Sequence, residues 1–187
     1  MKRYFGILTV LLLFACGKEK QATTDAAKEE VQTEDVVEEV PILVGITERA
    51  ALESEPYGDL WFTENYELHP LDSETISAFK ALLGEVDQVK LFMGTWCSDS
   101  QREVPAFFKI MDEAGFNEEK LQLITVTRDK DTPEKLEEGL DITNVPTFIF
   151  YRENKEINRI VESPIETLEK DMLAILSGQA YKHTYAE

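Results

Sequence analysis

Thiols and imidazoles are scarce in this 187-residue chain, which has two cysteines, Cys16 and Cys97, and two histidines, His69 and His183. A zinc centre needs about four Cys, His or carboxylate ligands, and two distant histidines with two separated thiols do not supply a recognisable set. Both histidines read as plain surface or loop residues, and no metal or cofactor is expected. Positive charge is the second shortage: 19 Lys and Arg stand against 37 Asp and Glu, a formal net charge of −18. Within residues 41–187 the balance is 14 basic to 29 acidic. A field of that sign opposes nucleic acid and anionic lipid, so neither is an expected partner. Long apolar runs are also missing. The longest, Ile7 to Ala15, falls far short of the roughly 20 residues a membrane-spanning helix requires.

That short run has a different reading. Lys2 and Arg3 precede it as a positive segment, and Leu13-Phe14-Ala15-Cys16 closes it. The tetrapeptide resembles the bacterial lipobox, in which cleavage falls just before a cysteine that becomes lipidated. Residues 1–15 are therefore expected to be a lipoprotein signal peptide. Residues 16–40 are expected to be an acidic flexible tether lipidated at Cys16, since Gly17 to Val40 has eight acids, three lysines and no aromatic residue. At about 0.8 kcal/mol per buried CH₂, acyl chains would hold the protein on a bilayer. The expected location is the bacterial cell envelope, extracytoplasmic, with membrane contact through the lipid anchor only. Lipidation of Cys16 leaves Cys97 without an internal disulfide partner.

The remaining chain suits one domain, and its apolar periods alternate. Asp72 is placed to cap a helix over Ser73 to Leu83 with Gly84 at its stop. Val89 to Met93 reads as a buried strand, and Ser98 to Ala114 as a helix with Val104, Phe107, Phe108 and Met111 on one face, kinked by Pro105 and ended by Gly115. Leu121 to Thr127 predicts a strand, followed by a short helix capped by Thr132 with Pro133 at its first position. Thr147 to Tyr151 and Ile157 to Val161 predict a hairpin joined by Arg152 to Glu156. Ser163-Pro164-Ile165-Glu166 reads as a capping box opening a last helix with Ile165, Leu168, Met172 and Ile175 inward and Gly178 at its end. The order implies an α/β fold, a central mixed sheet flanked by helices on both faces. Residues 41–72 are an N-terminal extension expected to add a strand or helix at the sheet edge, 73–178 the main domain, and 179–187 a C-terminal tail.

Between the first strand and the long helix lies Gly94-Thr95-Trp96-Cys97-Ser98-Asp99-Ser100, with Glu103-Val104-Pro105 after it and Val145-Pro146-Thr147 opening the hairpin. This combination resembles the thioredoxin-like family, and more narrowly a group of bacterial envelope lipoproteins with a W-C-x-D-S signature; it covers roughly Ser73 to Ser177. The resemblance implies the thioredoxin fold, a nucleophilic Cys97, and a cis Pro146 packed beside it, where composition alone favours trans. It also implies that the Val145 backbone pairs with an extended client, a mode tolerant of sequence. Two positions depart from the dithiol pattern. Ser100 occupies the place of the second thiol, and a hydroxyl cannot resolve a mixed disulfide. Leu91 occupies the place of a buried aspartate that moves protons in that step.

The chemistry left to Cys97 follows from its place at a helix start, where amides and dipole favour an anion and make the thiolate more accessible than that of a free cysteine. Ser100 is a candidate hydrogen-bond donor to it; Asp99 is either a first-turn acid or a proton-transfer group, and opposes a neighbouring negative charge. Trp96 is a packing residue or a substrate contact. The expected activity is monothiol thiol-disulfide exchange with protein or small-molecule thiols and disulfides, released by an external thiol reductant. Two other readings stay open: a non-catalytic thioredoxin-fold binding or scaffold lipoprotein, and a one-cysteine peroxide reductase passing through sulfenic acid. Thr95 and Arg128 invite the last, although the peroxidase pattern sets its threonine three residues before the cysteine, not two.

Overall fold

The computed structural model describes residues 40–186. The signal peptide, Cys16 and the tether up to residue 39 lie outside the described residues. From Val40 onward a sheet of five strands runs in the order β1 (Gly45–Ile46), β3 (Leu121–Thr125), β2 (Gln88–Met93), β4 (Thr147–Arg152), β5 (Lys155–Val161). Strands β2 and β3 are parallel and every other neighbouring pair is antiparallel. The mixed sheet flanked by helices is the fold that the alternating periods predict.

Period-2 alternation divides each central strand between two layers. Val89, Leu91, Met93, Leu123, Phe148 and Phe150 point to one face and join the main core, whereas Phe92, Ile124 and Ile149 point to the other. Five helices supply the main core: α1 (Arg49–Glu53), α2 (Thr63–Leu68), α3 (Ser73–Lys80), α4 (Ser98–Ala114) and α5 (Leu168–Leu176). Helix α4 is the spine of that layer. Its Val104, Phe107, Phe108, Ile110, Met111 and Ala114 are all buried, at the spacing of one helical face. Pro105 sits inside it, where it withholds the amide that would pair with the Gln101 carbonyl. The helix stops at Gly115, whose φ of 70° is a left-handed cap conformation; the Gly115 and Phe116 amides close onto the Asp112 and Met111 carbonyls.

The second face differs from expectation in what covers it. No helix forms at Thr132-Pro133; residues 127–144 pack as turns, with Leu136, Leu140 and Ile142 against Phe92, Ile124 and Ile149. Thr132 does act as a cap, accepting from the Leu136 amide at 2.8 Å. Propagation fails because Lys135 adopts a φ of 55° and Asp141 a φ of 53°, which a right-handed helix does not admit.

The capping box is a second correction. Helix α5 begins at Leu168 behind Thr167, which accepts from the Lys170 amide. The Ile165 and Glu166 amides instead donate to the buried Asp171 carboxylate at 2.6 and 3.2 Å, and Tyr181 donates to it at 2.8 Å. The segment that resembled a first turn is thus a bend folded onto Asp171, and Ile165 is 54% exposed rather than inward. Elsewhere the terminators shift slightly. Asp72 caps α3 as predicted, but the helix gives way at Lys80 and a 3-10 turn spans Leu82–Glu85, with Gly84 inside it. The hairpin turns on Glu153 and Asn154, both at positive φ, the conformation of a tight two-residue loop.

Residues 41–72 add both a strand and helices. Strand β1 extends the sheet beyond β3, and a π-helical turn (Gly58–Phe62) running into α2 lays Trp61, Phe62 and Tyr66 on the core. The Arg49 guanidinium makes two 2.8 Å bonds to the Asp112 carboxylate, also pairs with Glu53 and Glu118, and lies 4.8 Å from the centre of the Phe108 ring. Tyr66 donates to the same carboxylate at 2.7 Å. A planar fork held bidentately is the strong form of such a pair, and it ties the extension to α4.

Candidate functional site

Cys97 occupies the N-cap of α4, with extended backbone at φ −94° and ψ 122°. Its amide donates to the Gly94 carbonyl at 3.0 Å, and its carbonyl accepts from Gln101 at 2.9 Å, so the thiol emerges where the strand loop becomes helix. The side chain is partly exposed, and among the described residues it is a free thiol. Its Sγ donates to the Val145 carbonyl at 3.2 Å. The peptide bond between Val145 and Pro146 is cis. The two segments that the sequence sets about fifty residues apart are therefore in contact at the same end of the sheet.

The loop bearing Pro146 is held on both sides. Pro146 accepts from the Glu162 amide at 2.7 Å, and Thr147 donates to the Asn144 carbonyl at 2.7 Å. Asn144 donates in turn to the Glu162 carboxylate at 3.1 Å, and the Tyr185 hydroxyl from the C-terminal tail donates to that carboxylate too. Among the described residues the Val145 amide has no hydrogen-bond partner. Val145 itself is buried, 3% exposed, and its carbonyl is the contact of the thiol.

Ser100 is fully buried and its Oγ accepts from the Gly94 amide at 3.2 Å. The expected hydroxyl bond to the Cys97 sulfur is absent among the described residues; the serine instead holds the turn that presents the thiol. Asp99 also faces away in its bonding: Arg102 donates to its carboxylate at 2.7 Å, to Ser163 at 3.1 Å and to Glu103 at 2.8 Å. Trp96 packs beside Cys97 on the second-face core and donates from its indole nitrogen to the Val126 carbonyl at 3.0 Å. Its ring lies directly over Gly94, where a Cβ would approach the indole to 2.6 Å. Glycine is required there by this close approach.

Sequence reasoning set Arg128 aside with the peroxidase pattern, yet its guanidinium lies 5.2 Å from the centre of the Trp96 ring, within cation–π range. In the sequence Glu103 is only one residue of the Glu103-Val104-Pro105 motif. It is nearly buried, and burial pushes its carboxyl above the usual glutamate range, with Arg102 pulling only partly in the other direction. The consequence has a definite sign. The folded state holds the Glu103 proton more tightly than the unfolded chain, so this group's contribution to stability falls as pH rises from 4.5 toward the raised folded value. Glu103→Gln is expected to gain stability relative to the parent at pH 7 compared with pH 4. Urea denaturation at both values checks this, and a difference independent of pH would contradict it.

Neither histidine reaches Cys97: His69 contacts the buried Glu169 at 3.3 Å, and His183 sits in the C-terminal tail beside Tyr185. Among the described residues no group of three or more His, Cys, Asp or Glu side chains converges to hold a metal. No described helix is long and apolar enough to cross a membrane.

No protein-family model matches the chain, and no curated protein matches it. Among solved structures it is similar to a Pseudomonas aeruginosa protein of unknown function, at 19% identity and a TM-score of 0.38, over 65% of this chain and 95% of that one. It is also similar to an HIV epitope-scaffold, at 20% identity and a TM-score of 0.37, over 72% of this chain and 100% of that one.

Proposed function

We propose that this is a thioredoxin-like envelope lipoprotein that performs monothiol thiol-disulfide exchange through Cys97. The observation that carries the reading is the contact between the partly exposed thiol at the α4 N-cap and the Val145 carbonyl before Pro146. An extended client strand that donates an N–H to the Val145 carbonyl displaces the thiol from it. The Cys97 thiolate then attacks one sulfur of the client disulfide: the S–S bond breaks, a Cys97–client mixed disulfide forms, and the departing client thiolate takes up a proton. Ser100 has no sulfur to complete the cycle, so an external thiol attacks Cys97 Sγ and releases the client as a second thiol. A further external thiol frees Cys97 and leaves as a disulfide of the two reductant molecules. Two electrons pass from reductant to client. The membrane enters only through the lipid at Cys16.

Incubating the protein with oxidised envelope proteins and quenching with acid is expected to yield disulfide-linked adducts on non-reducing gels that map to Cys97 and disappear with dithiothreitol. Absence of such adducts, together with alkylation of Cys97 no faster than a model thiol, overturns the reading and leaves a binding module.

A further inference from the structure

Beside Trp96 opens a cleft of about 830 Å³ lined by Ile42, Leu60, Trp61, Trp96, Gln101 and Arg128, with Val40, Pro41 and Thr95 completing it. Three features distinguish it. Its apolar wall is exposed: Val40 is 45%, Ile42 39% and Leu60 55% accessible, an arrangement that marks a contact surface when the side chains are contiguous. Among the described residues its one charged lining residue is a cation, and no Asp or Glu lines it. Four other surface clefts each include at least one carboxylate: Asp59, Glu48, Asp141 and Glu53 are examples. Finally, Arg128 is exposed, and among the described residues no carboxylate pairs with it. Arg49, Arg102, Arg152 and Arg159 all have acidic partners. Arg128 is held instead on the indole face, its fork of donors left for something else.

We propose that this cleft docks the client polypeptide, taking an aliphatic side chain against Ile42 and Leu60 and a carboxylate on Arg128, so that clients are selected for an acidic residue near the reactive cysteine. The proposal rests on the exchange reading for its client, but the recognition it describes is non-covalent. Charge complementarity fixes the occupant. The net negative charge disfavours a carboxylate on this surface in general, whereas at this cleft it meets the Arg128 guanidinium, which has no carboxylate partner among the described residues, and Trp96 joins the cleft to the thiol that follows it in the chain. The pocket is formed largely by residues 40–61 of the N-terminal extension together with the loops after β2 and β3.

The test uses Cys97→Ser protein, so that binding is read without covalent capture. The probe is an octapeptide with a central cysteine flanked by leucine and glutamate, compared with the same peptide carrying glutamine. The chain has two tryptophans and both line the cleft, so their emission reports occupancy. The glutamate peptide is expected to bind about tenfold more tightly than the glutamine peptide, with the advantage removed by Arg128→Ala, reversed by Arg128→Glu and reduced at high salt. Equal affinity for the two peptides, or indifference to Arg128, overturns the proposal. Self-association of the chain that Arg128→Glu abolishes assigns the cleft to a second copy and overturns it as well. Failure of the exchange reading appears separately, as wild-type protein that binds the glutamate peptide but, given the same peptide as its disulfide-linked dimer, forms no mixed disulfide through Cys97 and releases no peptide thiol.

Discussion

Ser100→Cys is expected to convert the protein into a dithiol reductase that precipitates insulin in the presence of dithiothreitol, where the parent stays near background. Position 100 is three residues after Cys97 and already buried at the first turn of α4, its Oγ on the Gly94 amide. A thiol there replaces a resolving nucleophile drawn from solution by one held in the same helical turn. Well-oriented intramolecular groups reach effective concentrations far above millimolar, so resolution should accelerate by about 100-fold or more. The unsubstituted protein should form adducts that persist, and the variant should release them. A variant that still forms adducts through Cys97 but gains no turnover would mean that positions 97 and 100 cannot bridge in this turn. A variant with neither property would remove the thiol chemistry altogether.

The largest structural effect is expected at Phe107. Its ring is fully buried, 4.9 Å from the Phe148 ring centre across the interface between α4 and the sheet and 5.9 Å from that of Phe108. Truncation to alanine removes these contacts and leaves a void between two rigid elements that cannot collapse to fill it. Phe107→Ala should cost about 3–5 kcal/mol, which lowers the melting temperature by roughly 10 °C in a domain of this size. Ile165→Ala is the matched comparison. The capping-box reading placed Ile165 inward, but the structure leaves it 54% exposed, so its loss should stay within about 0.5 kcal/mol. Thermal denaturation of the two variants side by side distinguishes the readings, and comparable losses would contradict the packing described.

That contrast shows which parts of the fold were legible. Helix α4 could be read because its apolar residues repeat at helical spacing over 17 residues and a glycine stands at its end. The central strands could be read because burial on both faces makes them nearly continuous apolar runs. Position 163 misled because a capping box is a local competition. Asp171, six residues beyond Ile165, takes the Ile165 and Glu166 amides that a helix would have used, and no window of four residues contains that partner. Thr132 misled in the opposite way: its cap forms, but the left-handed Lys135 prevents growth.

The site divides similarly. Cys97 and Pro146 were legible as a pair because the motif around each is distinctive, and their contact through Val145 follows from β2 and β4 being neighbours. Arg128 was not, because a lone arginine in an acidic loop has no meaning until the fold places Trp96 beneath it, from a position 32 residues earlier. The extension was opaque for a related reason. Trp61, Phe62 and Tyr66 serve the core from a π-helical turn and one short helix, too brief to set up a period.

The margins of the sheet carry a consequence of their own. One boundary strand, β1, is two residues long and opens on Gly45 at a φ of 103°; the other, β5, bears Lys155, Glu156 and Arg159 along its rim, with a register shift opposite Phe150 and Tyr151. Brief, charged or irregular borders are poor templates for an incoming strand. Such borders guard against fibrillar stacking between copies, even if many were crowded side by side.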